Sequence, residues 1–396
     1  MLTGPILPVV LSCHFLAAFT VLGMPLFLPR LLSGFGVTAD SPWIGVMFSL
    51  PIVMTALSAP WWGRFADHFG RKISLLRALA GLVLAFVLAG LAPTLPIFVL
   101  ALIMQGLFGG TLAAANGYLA SHLDRQALSK ALNWTQFTAR LALVVAPIGL
   151  GWLLEIHTAT SQRLYLWLAL LPMSGLLLAL FLPADSNTTA RSPQNSAAQA
   201  DNQANGQLLP LPWLLLIQFL FNFSIVVTFP YFLPYASEWV GQTSIVGLLY
   251  SLPHLFYLML LPLMHRHQQD HRHLAAGLLL LALASCWQAF LNSNIELIAA
   301  RAIFGLGLFL AYCGLNQMIS EAIKAQQAGS WFGQLDAAGK WAGVIAGITA
   351  GWLCVVVNYS TPFIAAALTS SIALILLFLL MFKGKEPRNA NITSNQ

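Results

Sequence analysis

Charge is what this sequence has least of. Of its 396 residues only 30 are Asp, Glu, Lys or Arg, 8% of the chain, where an ordinary soluble domain carries about 25%. A soluble enzyme of this size could not clothe its surface with so few charges and is excluded. Cysteine is scarce too. Cys13, Cys286, Cys313 and Cys354 stand far apart, each alone in an apolar run. They form no CxxC pair, so neither a disulfide framework nor a metal site is expected. The phosphate-cradling pattern G-x-x-x-x-G-K-[ST] is missing, so ATP-driven chemistry on this chain alone is not expected, and no cofactor is implied. The histidine boxes of a membrane metalloenzyme are missing as well. The net charge of +6 does not point to nucleic acid, because the basic residues sit in short loops between apolar runs. Such loops suit an anionic lipid face.

What the chain has is apolar residues, 58% of the total. They fall into twelve runs, at about 6–28, 42–62, 73–92, 95–118, 131–154, 164–182, 210–234, 244–264, 274–292, 296–319, 331–356 and 361–382. A spanning helix needs about 20 such residues. Only helices or closed barrels satisfy the backbone in lipid, and runs this long fit helices rather than ten-residue strands. The first run lacks a basic leader and exceeds a signal-peptide core, so it is expected to be a retained span.

Residues 184–208 differ in composition, being rich in Ser, Thr, Asn, Gln and Ala. They read as a flexible linker between a first half, 1–183, and a second, 209–383, with a tail at 384–396. The halves repeat each other. Pro25-Leu-Phe-Leu-Pro29 recurs as Pro230-Tyr-Phe-Leu-Pro234, and Gly45-Val-Met-Phe-Ser-Leu-Pro51 as Gly247-Leu-Leu-Tyr-Ser-Leu-Pro253. At an offset of 200, Asn116 meets Asn316, Arg140 meets Lys340, and Gly151-Trp152 meets Gly351-Trp352. The expected fold is therefore all-α, with twelve transmembrane helices in two pseudo-symmetric six-helix bundles. That duplication is a transporter pattern with a central site. Thirteen Lys and Arg fall on the side of the chain ends and two, Arg30 and Arg163, on the other. Both termini are thus expected in the cytoplasm, with the protein in a bacterial-type inner membrane.

After the second run comes Gly63-Arg-Phe-Ala-Asp67-His-Phe-Gly70-Arg71-Lys72. This resembles the signature loop of the major facilitator superfamily, G-x-x-x-D-(R/K)-x-G-(R/K)-(R/K), with His68 in place of a basic residue. Gly63 and Gly70 are expected to permit tight turns. Asp67, with Arg71 and Lys72, is expected to form a conformational latch at the cytoplasmic helix boundary. Within that superfamily the chain most resembles the drug:proton antiporter-like exporters, a group that includes siderophore exporters. Their fourth-span R-x-x-x-G pattern is absent at Leu102 and appears instead as Arg301-Ala-Ile-Phe-Gly305. Their fifth-span G-P-x-x-G-G is echoed by Ala146-Pro147-Ile-Gly149-Leu-Gly151.

Ionisable groups inside a span are costly and usually face a cavity. Arg140 and Lys340 are therefore expected to bind substrate, with two cations favouring an anion. Asp336 stands four residues before Lys340 and can neutralise it; Gln136, the equivalent residue before Arg140, cannot. Asp336 is either that structural partner or a proton-coupling carboxylate. Arg301 serves coupling or ties to a carbonyl. Gln218 and Asn222 share one face of the seventh span and are candidate cavity residues. His14 and His254 read as core histidines. Gly339, Gly343, Gly347 and Gly351 form a stripe that lets another helix approach closely. Four histidines in 265–273 invite a metal reading, but spacing alone is a weak signal.

These observations imply a monomeric secondary transporter that exports a small anionic or amphiphilic molecule, a siderophore or a drug, by alternating access. The resemblance implies protons as the coupling ion. Uptake of an organic anion is the alternative. A non-transporting receptor or membrane enzyme is the alternative of another class, and no catalytic constellation supports it.

Overall fold

The computed structural model describes residues 6–123, 125–156, 163–184, 210–262, 271–322 and 328–383. Its helices are α1 (Ile6–Ser33), α2 (Trp43–Phe69), α3 (Arg71–Leu91), α4 (Leu95–His122), α5 (Arg125–Ile156), α6 (Leu164–Leu180), α7 (Leu211–Val226), α8 (Thr243–Leu260), α9 (His271–Ala289), α10 (Asn294–Ala322), α11 (Ala328–Val356) and α12 (Thr361–Lys383). Among the described residues, nine candidate spans are long and apolar enough to cross a membrane, and α6 and α7 are shorter apolar helices. These helices form two pseudo-symmetric bundles, as the duplication implied. The expected linker lies outside the described residues except for Ala184.

Proline and glycine interrupt the helices where the sequence places them. A 3-10 turn, Met24–Phe27, breaks α1 at Pro25, because proline offers no N–H to the helix ladder. In the second half α7 stops at Val226 and a short helix, Phe232–Ser237, resumes after Pro230. The fourth span is also broken. It ends a first segment at Leu107 and starts a second at Thr111, with Gly110 at φ +86°. The carbonyls exposed at that break are taken up by neighbours. Trp62 Nε1 donates to Leu107 O at 2.5 Å and Arg77 Nη1 to Phe108 O at 3.0 Å, while the Arg77 guanidinium lies 3.6 Å from the Trp62 ring centre. Arg77, counted among the loop cations in the sequence, thus sits inside α3.

The signature segment is helical where a loop was expected. The apolar run fades near Trp62, but α2 continues to Phe69, and Gly70 alone makes the corner at φ +100°. Gly63 lies within the helix, and a Cβ there would meet nothing within 4 Å. Its expected turn is therefore absent, whereas that at Gly70 is present. Asp67 and Arg71 form an ion pair one turn apart. Lys72 donates to Leu180 O at 2.9 Å and Leu182 O at 2.5 Å. A cation there caps the C-terminal carbonyls of α6.

Two helix pairs join the halves: α2 with α11, and α5 with α8. The buried core is continuous across them, running from Met47 and Ala146 to Val246 and Ala346. The glycine stripe of α11 packs as expected. Positions 347 and 351 meet α2, and position 339 faces Asn222 of α7. Polar ties between the halves gather on the face opposite the chain ends. Arg30 donates to Thr243 Oγ1 at 3.0 Å and Tyr231 OH to Ser41 O at 2.7 Å.

Candidate functional site

Arg140 lies near the middle of α5 and reaches into the other half. Its guanidinium sits over the ring of Tyr257 on α8, 4.6 Å from the centroid, and over that of Tyr312 on α10, 4.7 Å away. Its Nη1 lies 3.5 Å from Nδ1 of His254. Each cation–π contact is worth about 0.5–2 kcal/mol, the higher figure where water is excluded. Tyr257 and Tyr312 meet edge to face, with centroids 6.0 Å apart. The result is an aromatic cradle from one half holding a cation from the other.

Arg140 has no carboxylate partner among the described residues, and its Nε and Nη2 take no protein acceptor there. The side chain is half-buried. One edge of the guanidinium is therefore free for a planar acceptor, and a carboxylate is the group that matches such a fork with two hydrogen bonds.

The helix that supplies the cradle is shaped by Pro253. That proline cannot bond back to Leu249, so the Leu249 carbonyl is released inside the bundle. Arg301, 1% exposed, fills the gap. Its Nε donates to Leu249 O and its Nη2 to Tyr250 O, both at 3.0 Å. Arg301 is thus the carbonyl tie that the sequence held open, and it satisfies the turn that precedes Pro253 and His254. Its Nη1 is buried without a partner.

Lys340 is held differently. Its Nζ is 2.6 Å from Asp336 Oδ2 on its own helix. The two duplicated cations therefore share no partner: Arg140 is held by α8 and α10, Lys340 by its own helix. Gln136 is exposed on α5. Asn222 turns its amide back onto Gln218 O at 2.8 Å, and its side chain faces Gly339 beside Lys340. His14 is buried, and its ring nitrogens make no hydrogen bond of ordinary geometry among the described residues. Asn316 is exposed, while Oδ1 of Asn116 is buried without a partner. The histidines at 265 and 267 lie outside the described residues, whereas His271 and His273 open α9.

Sequence reasoning did not pick out Tyr257 and Tyr312; it took His254 for core, and His254 is buried at 3% exposure while also meeting Arg140. His254 and Tyr257 are three residues apart, hence on one face of α8, which is the signal that was there to find. Tyr312 carries none, because an aromatic residue in an apolar helix is most often core.

The sequence profile of the Major Facilitator Superfamily matches residues 10–272 and 240–396. The chain belongs to that superfamily. It is a multi-pass membrane protein. Over 267 residues it is 28% identical to the multidrug resistance protein MdtG of Klebsiella pneumoniae (strain 342). That alignment spans 65% of this chain and 63% of the relative's length, so it leaves over a third of the relative unmatched. In fold, it is similar to the human organic anion transporter MFSD10, with a TM-score of 0.70 at 17% identity over 94% of this chain and 99% of that one. A POT family transporter solved with 5-aminolevulinic acid superposes with a TM-score of 0.75 at 12% identity, over 96% of each chain. At these identities the two structures speak to fold.

Proposed function

We propose that this transporter exports a small amphiphilic organic anion across the cytoplasmic membrane, with Arg140 as the anchor for its anionic group. The observation that carries the reading is the free guanidinium edge at the junction of the halves, framed by Tyr257 and Tyr312. The MdtG relative, a multidrug resistance protein by name, supports efflux of an organic molecule as the class. The pairing of Lys340 with Asp336 narrows the cargo. One unpaired cation suits a single carboxylate on an aromatic body better than a siderophore with several carboxylates, because a second carboxylate would have to displace Asp336.

The two moving bodies are 1–183 and 209–383. With both chain ends in the cytoplasm, the ties near Arg30 and Tyr231 close the outer face, and the described state receives cargo from inside. Opening that seam while the inner ends of the bundles meet would release cargo outside. The Asp67–Arg71 pair lies within one half, as fits a latch that is disengaged in this state. Proton antiport supplies the drive. Asp336 is the coupling carboxylate in this account: antiport requires it to be ionised and paired with Lys340 while cargo is carried out, and protonated on the empty return step.

Inside-out vesicles carrying the purified protein test this with a fluorescent aromatic monocarboxylate. An acid interior should drive its accumulation, and Arg140→Gln should cut the rate at least about tenfold at equal membrane insertion. Full transport by Arg140→Gln would remove the anchor. Flux indifferent to gradients of either sign would remove proton coupling.

A further inference from the structure

The repeated segment Gly-x-x-x-Ser-x-Pro occurs at 45–51 on α2 and at 247–253 on α8, and the transport reading above leaves it without a role. Its serines reach across to the other half in both cases. Ser49 Oγ donates to Val344 O on α11 at 2.9 Å. Ser251 Oγ lies 2.9 Å from Val144 O on α5 and 2.8 Å from Gly247 O on its own helix, so its one proton is shared between the cross-half acceptor and the local one. The donors are 202 residues apart in the chain and the acceptors 200. The bonds are thus a symmetric pair, and each crosses from one half to the other. Both serines are buried, at 2% and 1% exposure.

The glycine one turn earlier lets each bond form. Gly45 lies so close to α11 that a Cβ would fall 2.1 Å from Gly347 O, and one on Gly247 would fall 2.2 Å from Pro147 O. Approach on this scale puts the serine hydroxyl within reach of the opposite backbone. Two turns after each glycine, Pro51 and Pro253 stand where the helix can bend. Each segment thus combines a close approach, a cross-half hydrogen bond and a bending point, all on the half of the bundle away from the chain ends.

We propose that the two segments are a matched pair of clasps, in which Ser49 and Ser251 are positioning residues that hold the outer seam shut and set the balance between the two states of the transporter. Neither serine contacts Arg140. The clasps act on the equilibrium, and cargo meets them only through it. Losing one hydroxyl should shift the closed-to-open ratio about fivefold toward open. Losing both should multiply the effects, to about 25-fold, because the sites lie on different helix pairs.

The test is a distance measurement without cargo, so it is independent of the Arg140 reading. Spin labels at Ala39→Cys and Ser237→Cys, both exposed and lining one pocket between the halves, report the width of the outer seam in the full-length protein in liposomes. Cys286→Ser removes the exposed native thiol, and the other three cysteines are buried. Ser49→Ala and Ser251→Ala should each raise the long-distance population, and the double variant should raise it further. Ser58→Ala is the control, since its hydroxyl bonds only Thr55 O on its own helix, and it should leave the distribution unchanged. An unaltered distribution in the double variant overturns the proposal, as does an equal change in Ser58→Ala.

Discussion

Gly45→Ala and Gly247→Ala each place one methyl group in a tight seam between the halves. The added carbon would stand 2.1 Å from Gly347 O in the first variant and 2.2 Å from Pro147 O in the second, where ordinary contact begins near 3.4 Å. The obstacle in both cases is backbone, which cannot swing aside as a flexible side chain can. The helices must part by about 1 Å, and overpacking of this kind costs about 1–3 kcal/mol. That cost falls on the state whose outer seam is closed and vanishes once the seam opens. The closed state should therefore lose about 5–150-fold in population relative to the open one. The distance between labels at Ala39→Cys and Ser237→Cys reads this directly, and transport turnover should fall because the protein no longer returns readily to the inner face. Gly63→Ala is the contrasting variant. Its Cβ meets nothing within 4 Å, so replacing a mid-helix glycine should be neutral or stabilise by about 0.5–1 kcal/mol. If Gly45→Ala and Gly247→Ala kept the wild-type distance distribution and turnover, the close approach of the halves would not be what governs the cycle.

Other variants address the site itself. Tyr312→Leu removes one of the two rings under Arg140 and should weaken cargo binding by about 2–30-fold, from a cation–π term of about 0.5–2 kcal/mol, whereas Tyr312→Phe should bind nearly as the wild type does. Equal losses in both would point to the hydroxyl instead. Asp336→Asn should abolish flux driven by a proton gradient while sparing exchange of labelled for unlabelled cargo, since only the first needs a titrating carboxylate. Gradient-driven flux that survives this change would place coupling elsewhere. Arg301→Leu leaves the Leu249 carbonyl, which Pro253 deprives of its helix donor, buried and unpaired. At about 1–3 kcal/mol for an unsatisfied buried group, the melting temperature should fall by a few degrees, and an unchanged value would mean that the carbonyl is satisfied without Arg301.

The twelve helices were legible because nothing but a helix can carry so long an apolar run through lipid. Their ends were less so. Apolarity marks where a helix leaves the membrane, and α2 runs on beyond that point to Phe69, ending only where Gly70 adopts a conformation closed to other residues. Arg140 stood out because a charge in an apolar run has to be explained. Its aromatic partners did not, since Tyr257 and Tyr312 look like any core residue until α8 and α10 are placed beside α5. The carbonyl that Arg301 serves was implicit in Pro253, but which helix would supply the donor is a tertiary fact. The repeated Gly-x-x-x-Ser-x-Pro segment was plain in the sequence, and only the packing of α2 on α11 and α8 on α5 shows what its serines touch. The equivalence of Arg140 and Lys340 was legible too, and so was their difference, because Asp336 stands four positions before the second and Gln136 before the first.

On the function proposed above, the guanidinium of Arg140, without a carboxylate partner among the described residues, selects an anion. The most direct measurement compares the binding of an aromatic monocarboxylate with that of its neutral carboxamide to the purified wild-type transporter. A charged hydrogen-bonded contact contributes about 1.5–3 kcal/mol, so the carboxylate should bind about 10–150-fold more tightly, and that preference should disappear in Arg140→Gln. Equal affinity for the two compounds in the wild type, or a preference that survives in Arg140→Gln, would contradict the account.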